Sequence, residues 1–220
     1  MKRIFSCFKV FSLIALSSVV LANFAHAAEE AAPAKSASTS EVSPHKMVEK
    51  ATERVVALVK EKGESLKQEP EKHFDQFSQM LDSLVDFPFI AKHVMGKKAY
   101  VSASEKQRSD FAKAFKRDLI KTYTGALATY SDRKFKVVPA EEPVGDALRT
   151  TVVQEISGPE GKLNVAYTMS RKGDGSTWKM VNFTLPGQGV NLGATSRKQF
   201  AQAMVSNKGN LDAVIASWGS

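Results

Sequence analysis

The spacing of apolar residues changes once along this chain, from a helical to an extended period. Between residues 45 and 130, apolar side chains recur every three or four positions, whereas between residues 134 and 185 they alternate with polar ones. The first spacing places side chains on one face of a helix, and the second places them on one face of a strand. The sequence therefore predicts a group of helices followed by a sheet.

The first half of the chain is predicted to form four helices. The first covers residues 45–62 and ends at Gly63, a second follows, and a short third one is closed at Gly96. The longest helix follows Ser102 and Glu105, which match the S-x-x-E capping box that satisfies two free backbone N–H groups at a helix start.

The second half is predicted to form about four strands and two C-terminal helices. The alternating segments are residues 134–139, 148–156, 163–170 and 177–185. Residues 173–175, Gly-Asp-Gly, are typical of a hairpin turn, and consecutive strands joined by short turns pair antiparallel. Helices before a meander predict an α+β fold, in which N-terminal helices pack on a curved, mainly antiparallel sheet.

The N-terminal residues are predicted to lie outside this fold. A basic start, an apolar run and the small residues Ala25 and Ala27 are typical of a secretory signal peptide, predicted over residues 1–27. The apolar run is too short to span a bilayer. Residues 28–44 are rich in Ala, Ser and Pro and predict a flexible linker, which leaves residues 45–218 as the folded domain.

Charge and cysteine content limit the possible partners. The formal net charge is +8, and it becomes about +5 without Lys2, Arg3 and Lys9 of the predicted signal. This excess favours an acidic partner or an anionic membrane surface, and export argues against nucleic acid. The single cysteine, Cys7, lies in the signal, so no disulfide or thiol chemistry is expected in the exported chain.

No motif in the sequence indicates catalysis. The histidines outside the signal, His45, His73 and His93, do not have the spacing of a metal site. The glycines from Gly187 to Gly193 follow G-x-G-x-x-x-G, which is not the dinucleotide fingerprint, and no G-x-S-x-G elbow occurs. We therefore expect no enzyme activity, no catalytic residues, no metal and no cofactor.

Apolar residues are abundant, with 13 Phe and 7 Met. They are compatible with a fully packed core, and equally with helices and sheet that hold an apolar ligand between them. Composition does not decide between the two.

Several motifs occur together in a specific order and spacing. They are WKMVNF at 178–183, GVNLG at 189–193, T-x-R-x-Q-F at 195–200, G-x-L-D-x-x-I-x-x-W at 209–218, DFPFIA at 86–91, and F-x-x-x-F at 111–115 with Tyr123 and Tyr130. Together they resemble the MlaC family, also called toluene-tolerance or ABC-transporter auxiliary proteins. The resemblance covers residues 45–218.

The resemblance implies a soluble periplasmic phospholipid carrier. Such a protein moves lipid between an outer-membrane lipoprotein–porin complex and an inner-membrane ABC transporter that has an MCE-domain subunit, with transient membrane contact. The cargo is a phospholipid whose acyl chains occupy a pocket between sheet and helices.

The resemblance also directs the choice of site residues. The expected pocket residues are Leu163, Val165, Tyr167, Met169, Val181, Phe183 and Leu185 on the sheet, Val190 and Leu192 at the mouth, and Phe115, Leu119 and Tyr123 on the long helix. A shift of one residue would replace part of the sheet set by Trp178 and Met180. The basic side of the long helix, with Lys113, Arg117 and Lys121, is either a surface for partners or lipid headgroups or an ordinary solvated face.

Three other functions are compatible with the sequence. The protein could carry another apolar ligand, such as a hopanoid or a solvent, or it could be a ligand-free periplasmic adaptor for an envelope complex. A lipid hydrolase is the third, but the sequence shows no nucleophile and base pair for it.

Overall fold

The computed structural model describes residues 43–143, 147–173 and 176–219. The helices are α1 (Pro44–Gln68), α2 (Phe74–Leu84), α3 (Phe87–Ser102), α4 (Glu105–Leu127), α5 (Leu192–Ser206) and α6 (Leu211–Ser217). The strands are β1 (Lys134–Val137), β2 (Arg149–Gly158), β3 (Gly161–Ser170), β4 (Lys179–Leu185) and β5 (Val190–Asn191). A 3-10 turn, Pro70–His73, joins α1 to α2.

The strands form one sheet in the order β1-β2-β3-β4-β5, and every neighbouring pair is antiparallel. This confirms the α+β prediction. The sheet has one strand more than predicted, because the two residues of β5 pair with Thr184 and Leu185. The predicted signal peptide, most of the linker and part of the predicted hairpin turn at 173–175 lie outside the described residues.

A β-bulge in β4 decides which of its side chains face the helices. Tyr167 of β3 is opposite Phe183, whereas Met169 is opposite Met180, so the register shifts between these two pairs. Because a bulge adds one residue to a strand, it interrupts the alternation of faces. Met180 and Phe183 consequently both pack on the helical core. The sheet therefore uses both alternatives of the predicted register.

Two helix boundaries differ from those predicted. Gly63 does not end α1, which continues to Gln68, because Leu66 beyond it is fully buried beside Phe77 of α2. This burial outweighs the roughly 0.5–1 kcal/mol that a glycine costs inside a helix. Gly96 adopts φ +72 and kinks α3, but the helix resumes and ends only at Ser102.

The capping box of α4 lies two residues later than predicted. The backbone N–H of Ser104 donates to Gln107 Oε1 at 2.9 Å, and the N–H of Gln107 donates to Ser104 Oγ at 3.1 Å. Ser102 belongs to α3, where its hydroxyl donates to the carbonyl of Lys98. Both S-x-x-E and S-x-x-Q satisfy the capping pattern, so the sequence alone did not distinguish them.

An aromatic cluster attaches the C-terminal helices to α4. The ring centroid of Phe111 lies 5.0 Å from those of Phe200 and Trp218, in both cases edge to face. The junction of α2 and α3 is bound to β4, since the N–H of Asp86 donates to the carbonyl of Met180 at 3.0 Å. Among the described residues, no helix has both the length and the apolar character needed to cross a membrane.

An apolar cavity between helices and sheet

A cavity of about 150 Å³ lies between the helices and the sheet. Its wall consists almost entirely of apolar side chains, to which Tyr123, Thr124 and Tyr167 add hydroxyl groups. The lining residues are Phe77, Leu81, Val85, Phe87, Leu119, Ile120, Tyr123, Thr124, Leu127, Tyr167, Met180, Phe183 and Leu192.

The periodicity of two elements builds opposite walls of this cavity. On α4, Leu119, Tyr123 and Leu127 are four residues apart, so they lie on one face of the helix. On the sheet, Tyr167 and Phe183 are directly opposite each other on β3 and β4. Cross-strand partners project from the same face of a sheet. The cavity is therefore the space between one helix stripe and one cross-strand pair.

The two walls touch at the edge of the cavity. The rings of Tyr123 and Phe183 meet edge to face, with centroids 5.5 Å apart. Tyr123 is 37% exposed, so this contact lies where the cavity approaches solvent. Burial of the other part of the ring, together with the charge of Asp118, raises the pKa of Tyr123 above its usual value.

A buried chain of hydrogen bonds satisfies the polar groups behind the cavity. The Tyr167 hydroxyl donates to Gln154 Oε1 at 3.0 Å, and Gln154 Nε2 donates to Thr52 Oγ1 at 2.7 Å. Thr52 Oγ1 in turn donates to the carbonyl of Val48 at 2.8 Å. Burial raises the pKa of Tyr167 to about 12, so its hydroxyl stays neutral at physiological pH. These hydrogen bonds connect α1 to the sheet without placing a charge at the cavity.

The structure brings five of the twelve expected pocket residues together around the cavity. They are Leu119, Tyr123, Tyr167, Phe183 and Leu192. Met180, which the shifted register offered, also lines it, whereas Trp178 packs with Met169 and α1 instead.

The remaining seven expected residues lie elsewhere. Phe115 is fully buried in the aromatic cluster with Phe111. Val165 and Val181 are buried, but they are not part of the cavity wall, and Leu185 pairs with Val190 where β4 meets β5. Leu163 faces Ile156 of β2, and Met169 is buried beside Trp178. Whether any of them contacts a ligand stays a prediction.

Sequence reasoning missed the contribution of α2 and of the residues that follow it. Phe77 and Leu81 belong to an apolar stripe visible in the sequence, and Leu127 continues the four-residue repeat of α4. Val85 lies four positions after Leu81 and belongs to the same predicted stripe, although α2 ends at Leu84, whereas Phe87 has no such signal. They reach the cavity because Val85 forms a bridge with Met180, which draws the junction of α2 and α3 onto the sheet.

The basic side of α4 is largely paired in the structure. Lys121 lies 3.6 Å from Glu71, and Lys113 lies 3.9 Å from Asp110 on its own helix. The guanidinium of Arg117 lies over the Phe74 ring. Lys113 also borders an open cleft of about 860 Å³, which shares Val85 and Phe87 with the cavity and is lined by both lysines and carboxylates.

No metal site is present in the described part of the chain, since no three His, Cys, Asp or Glu side chains come together there. His73 and His93 bond locally, to Ser65 and to the carbonyl of Phe89. His45 lies at the start of α1, 3.2 Å from Glu142.

These features define a class of protein: an α+β domain whose helices cover an antiparallel meander over an apolar cavity. The chain belongs to the MlaC family, whose family model, described as MlaC protein, matches residues 49–220. This confirms the family inferred from the motifs.

Two known proteins are similar to this chain. The toluene tolerance protein ttg2D of Pseudomonas putida is 32% identical over 176 residues, which are 80% of this chain and 79% of that protein. A phospholipid-binding protein from Ralstonia solanacearum, solved in complex with a phospholipid, superimposes with a TM-score of 0.61 at 21% identity, over 79% of this chain and 93% of its own. At this identity the second comparison supports the fold.

Proposed function

We propose that this protein is a non-enzymatic periplasmic carrier of phospholipid. The observation that carries the proposal is the apolar cavity between α4 and the sheet, in which the few polar groups are neutral hydroxyls. Membership of the MlaC family and the phospholipid in the Ralstonia solanacearum protein agree with this function. The cargo needs no cofactor and no covalent step.

A carrier solves a problem of solvation. Each methylene that leaves an apolar environment for water costs about 0.8 kcal/mol, so two acyl chains of about 15 methylenes each cost on the order of 24 kcal/mol. An apolar cavity removes this cost because the chains stay out of water during transfer.

The cavity has to enlarge to accept this cargo. Its volume of about 150 Å³ is below the roughly 300–1,000 Å³ of ordinary ligand pockets. We propose that α4 moves away from the sheet, which separates Tyr123 from Phe183. In this proposal the lipid replaces contacts between the helix and the sheet.

The route that we propose follows the family. The signal peptide at 1–27 directs export of the protein to the periplasm. There the protein moves lipid between an outer-membrane lipoprotein–porin complex and an inner-membrane ABC transporter with an MCE-domain subunit. The basic side of α4, with Lys113, Arg117 and Lys121, is the proposed surface for these protein partners. Their existing pairs with Asp110 and Glu71 would exchange for pairs with the partner.

Lipid extraction and native mass measurement of the purified protein test the carrier function. We expect co-purified phospholipid, and uptake of phospholipid from vesicles by the delipidated protein. Leu119→Phe, which adds bulk to the cavity wall, should reduce uptake. Leu211→Phe is the matched control, because Leu211 is half-buried on α6 away from the cavity.

Each contrary outcome names a different function. Recovery of a different apolar compound, such as a hopanoid, would replace the phospholipid as cargo. If the protein purifies without bound lipid and takes up no lipid from vesicles, it would be an adaptor, and the carrier proposal would be wrong. Hydrolysed lipid after incubation would indicate an enzyme.

A further inference from the structure

Two helices that pack against each other contain no acidic residue. Residues 87–104, which include α3, and residues 186–211, which include α5, have no Asp or Glu. Their basic residues are Lys92, Lys97, Lys98, Arg197, Lys198 and Lys208. These two segments therefore carry six of the 31 Lys and Arg residues of the protein and no acid to balance them.

The cations of the two helices meet at the kink of α3. The guanidinium of Arg197 on α5 lies against Gly96, so close that a Cβ at this position would be 3.2 Å from Arg197 Nη2. Lys97 and Lys98 follow directly in the chain, and Lys198 is adjacent to Arg197. All four side chains are exposed. Arg197 of α5 is therefore brought beside the part of α3 that carries Lys97 and Lys98.

These cations have no carboxylate partner. In the described ranges, no ion pair includes Lys97, Lys98, Arg197 or Lys198, whereas the following cations are all paired: Lys106, Lys116, Lys121, Arg133 and Lys162. Lys50 of α1 is also without an ion pair, but Glu49 precedes it in the chain. Two segments without acidic residues of their own keep a positive potential, because no carboxylate within them neutralises the charge.

The same surface presents two prominent aliphatic side chains. Val101 on α3 is 66% exposed, and Val205 on α5 is 81% exposed. Val101 lies four positions after Lys97, and Val205 lies seven positions after Lys198, so each valine shares a helix face with a lysine. Two isolated exposed valines bury little area in a protein–protein interface. Beside lysines, however, they are suited to a bilayer surface, where charged headgroups lie above apolar acyl chains.

We propose that this α3–α5 face, formed by Lys97, Lys98, Val101, Arg197, Lys198 and Val205, docks on the surface of a bilayer that contains anionic phospholipid. The headgroup phosphates pair with the cations, and each cation near such a surface strengthens binding about fivefold. The two valines enter the boundary between headgroups and acyl chains, as the apolar face of an interfacial helix does.

The position of this face relates it to the cavity. α3 begins at Phe87 and α5 begins at Leu192, and both residues line the cavity. Docking would hold the helices of the cavity wall near the membrane; this last point rests on the carrier function, whereas the docking itself does not.

Sedimentation with vesicles tests the docking. The full exported chain is mixed with vesicles of phosphatidylcholine and phosphatidylglycerol, or of phosphatidylcholine alone, and the vesicle-bound fraction is measured. We expect binding to the anionic vesicles only. Raising the salt from about 0.1 M to 1 M shortens the Debye length from about 10 Å to 3 Å and should release most of the protein.

A charge-matched pair of variants identifies the face. The variant K97Q/K98Q/R197Q/K198Q should bind anionic vesicles on the order of 600-fold more weakly. The control K50Q/K60Q/K134Q/K136Q removes the same charge from exposed lysines on α1 and β1 and should bind nearly as the unmodified protein does. V101S/V205S should weaken the binding that persists at high salt.

The outcomes separate docking from lipid carriage. Equal losses in the two quadruple variants would overturn the proposal in favour of general attraction by net charge. No binding to anionic vesicles would overturn it too, and binding of an acidic protein at this face would then explain the surface. Phospholipid uptake in detergent, measured on the same variants, reports the carrier function independently, because none of these residues lines the cavity.

Discussion

The ring of Tyr123 on α4 meets the ring of Phe183 on β4 edge to face, with centroids 5.5 Å apart and ring planes at 82°. This contact joins the helical wall and the sheet wall of the cavity at its solvent edge. An edge-to-face contact of this kind contributes to the packing of α4 on the sheet.

The first prediction is a coupling energy between these two rings. In a double-mutant cycle of Tyr123→Leu and Phe183→Leu, the free energies of unfolding should show a coupling of about 0.5–1.5 kcal/mol, the usual value for an aromatic pair. Urea denaturation of the four proteins measures it. Strictly additive changes would contradict a direct contact in solution.

The second prediction concerns the buried hydroxyl of Tyr167. Tyr167→Phe removes the donor to Gln154 Oε1, and an acceptor left unsatisfied in a buried site costs about 1–3 kcal/mol. The free energy of unfolding should fall by this amount. The matched control is Tyr130→Phe, because Tyr130 lies in a short turn outside the cavity and its loss should change stability little.

The third prediction is a pH dependence above neutrality. The pKa of Tyr167 is about 12 in the folded protein and near 10 in the unfolded chain, so the folded state holds this proton more tightly. The contribution of Tyr167 to stability is fully present below pH 10 and is lost as the pH rises from about 10 to 12. Stability measured against pH should fall less steeply over this range in Tyr167→Phe than in the unmodified protein. Equal slopes would show that the hydroxyl reaches water.

The fourth prediction uses the same substitution at two glycines with opposite outcomes. Gly63→Ala should stabilise the protein by roughly 0.5–1 kcal/mol, because Gly63 lies inside α1 and a Cβ there meets nothing within 4 Å. Gly96→Ala should destabilise it by about 1–3 kcal/mol, because φ +72 and ψ 165 form a backbone conformation that is essentially restricted to glycine, and the Cβ would press on Arg197. Thermal unfolding of both variants gives the two signs.

The fifth prediction distinguishes two serines near the start of α4. Ser104→Ala should cost about 1 kcal/mol, since its hydroxyl accepts the N–H of Gln107. Ser102→Ala should change stability little. Its hydroxyl donates to the carbonyl of Lys98, which already accepts a backbone hydrogen bond within α3. Urea midpoints would contradict this assignment if Ser102→Ala were the more damaging change.

Local pattern was sufficient for the order and type of the main elements. The four-residue spacing of α4 and the alternation of β3 can be read from residues that are close together in the sequence. Leu119, Tyr123 and Tyr167 could therefore be placed on inward faces from the sequence alone. The motifs from 178 to 218 also indicated the family, because their order and spacing are visible in the sequence and do not depend on tertiary contacts.

Tertiary structure decided the rest, because it depends on contacts between residues far apart in the chain. The bulge in β4 put Met180 and Phe183 on one face, and no period in the sequence of that strand reveals where the register shifts. Phe87 lies at the cavity because the residues that follow α2 bridge to Met180 of β4. Arg197 lies near Lys97 because α5 packs on the kink of α3 at Gly96. The basic surface therefore forms only in the folded protein, since no single segment contains all of its residues. Periodicity is a property of one element, whereas a cavity or a charged face is a property of how several elements meet.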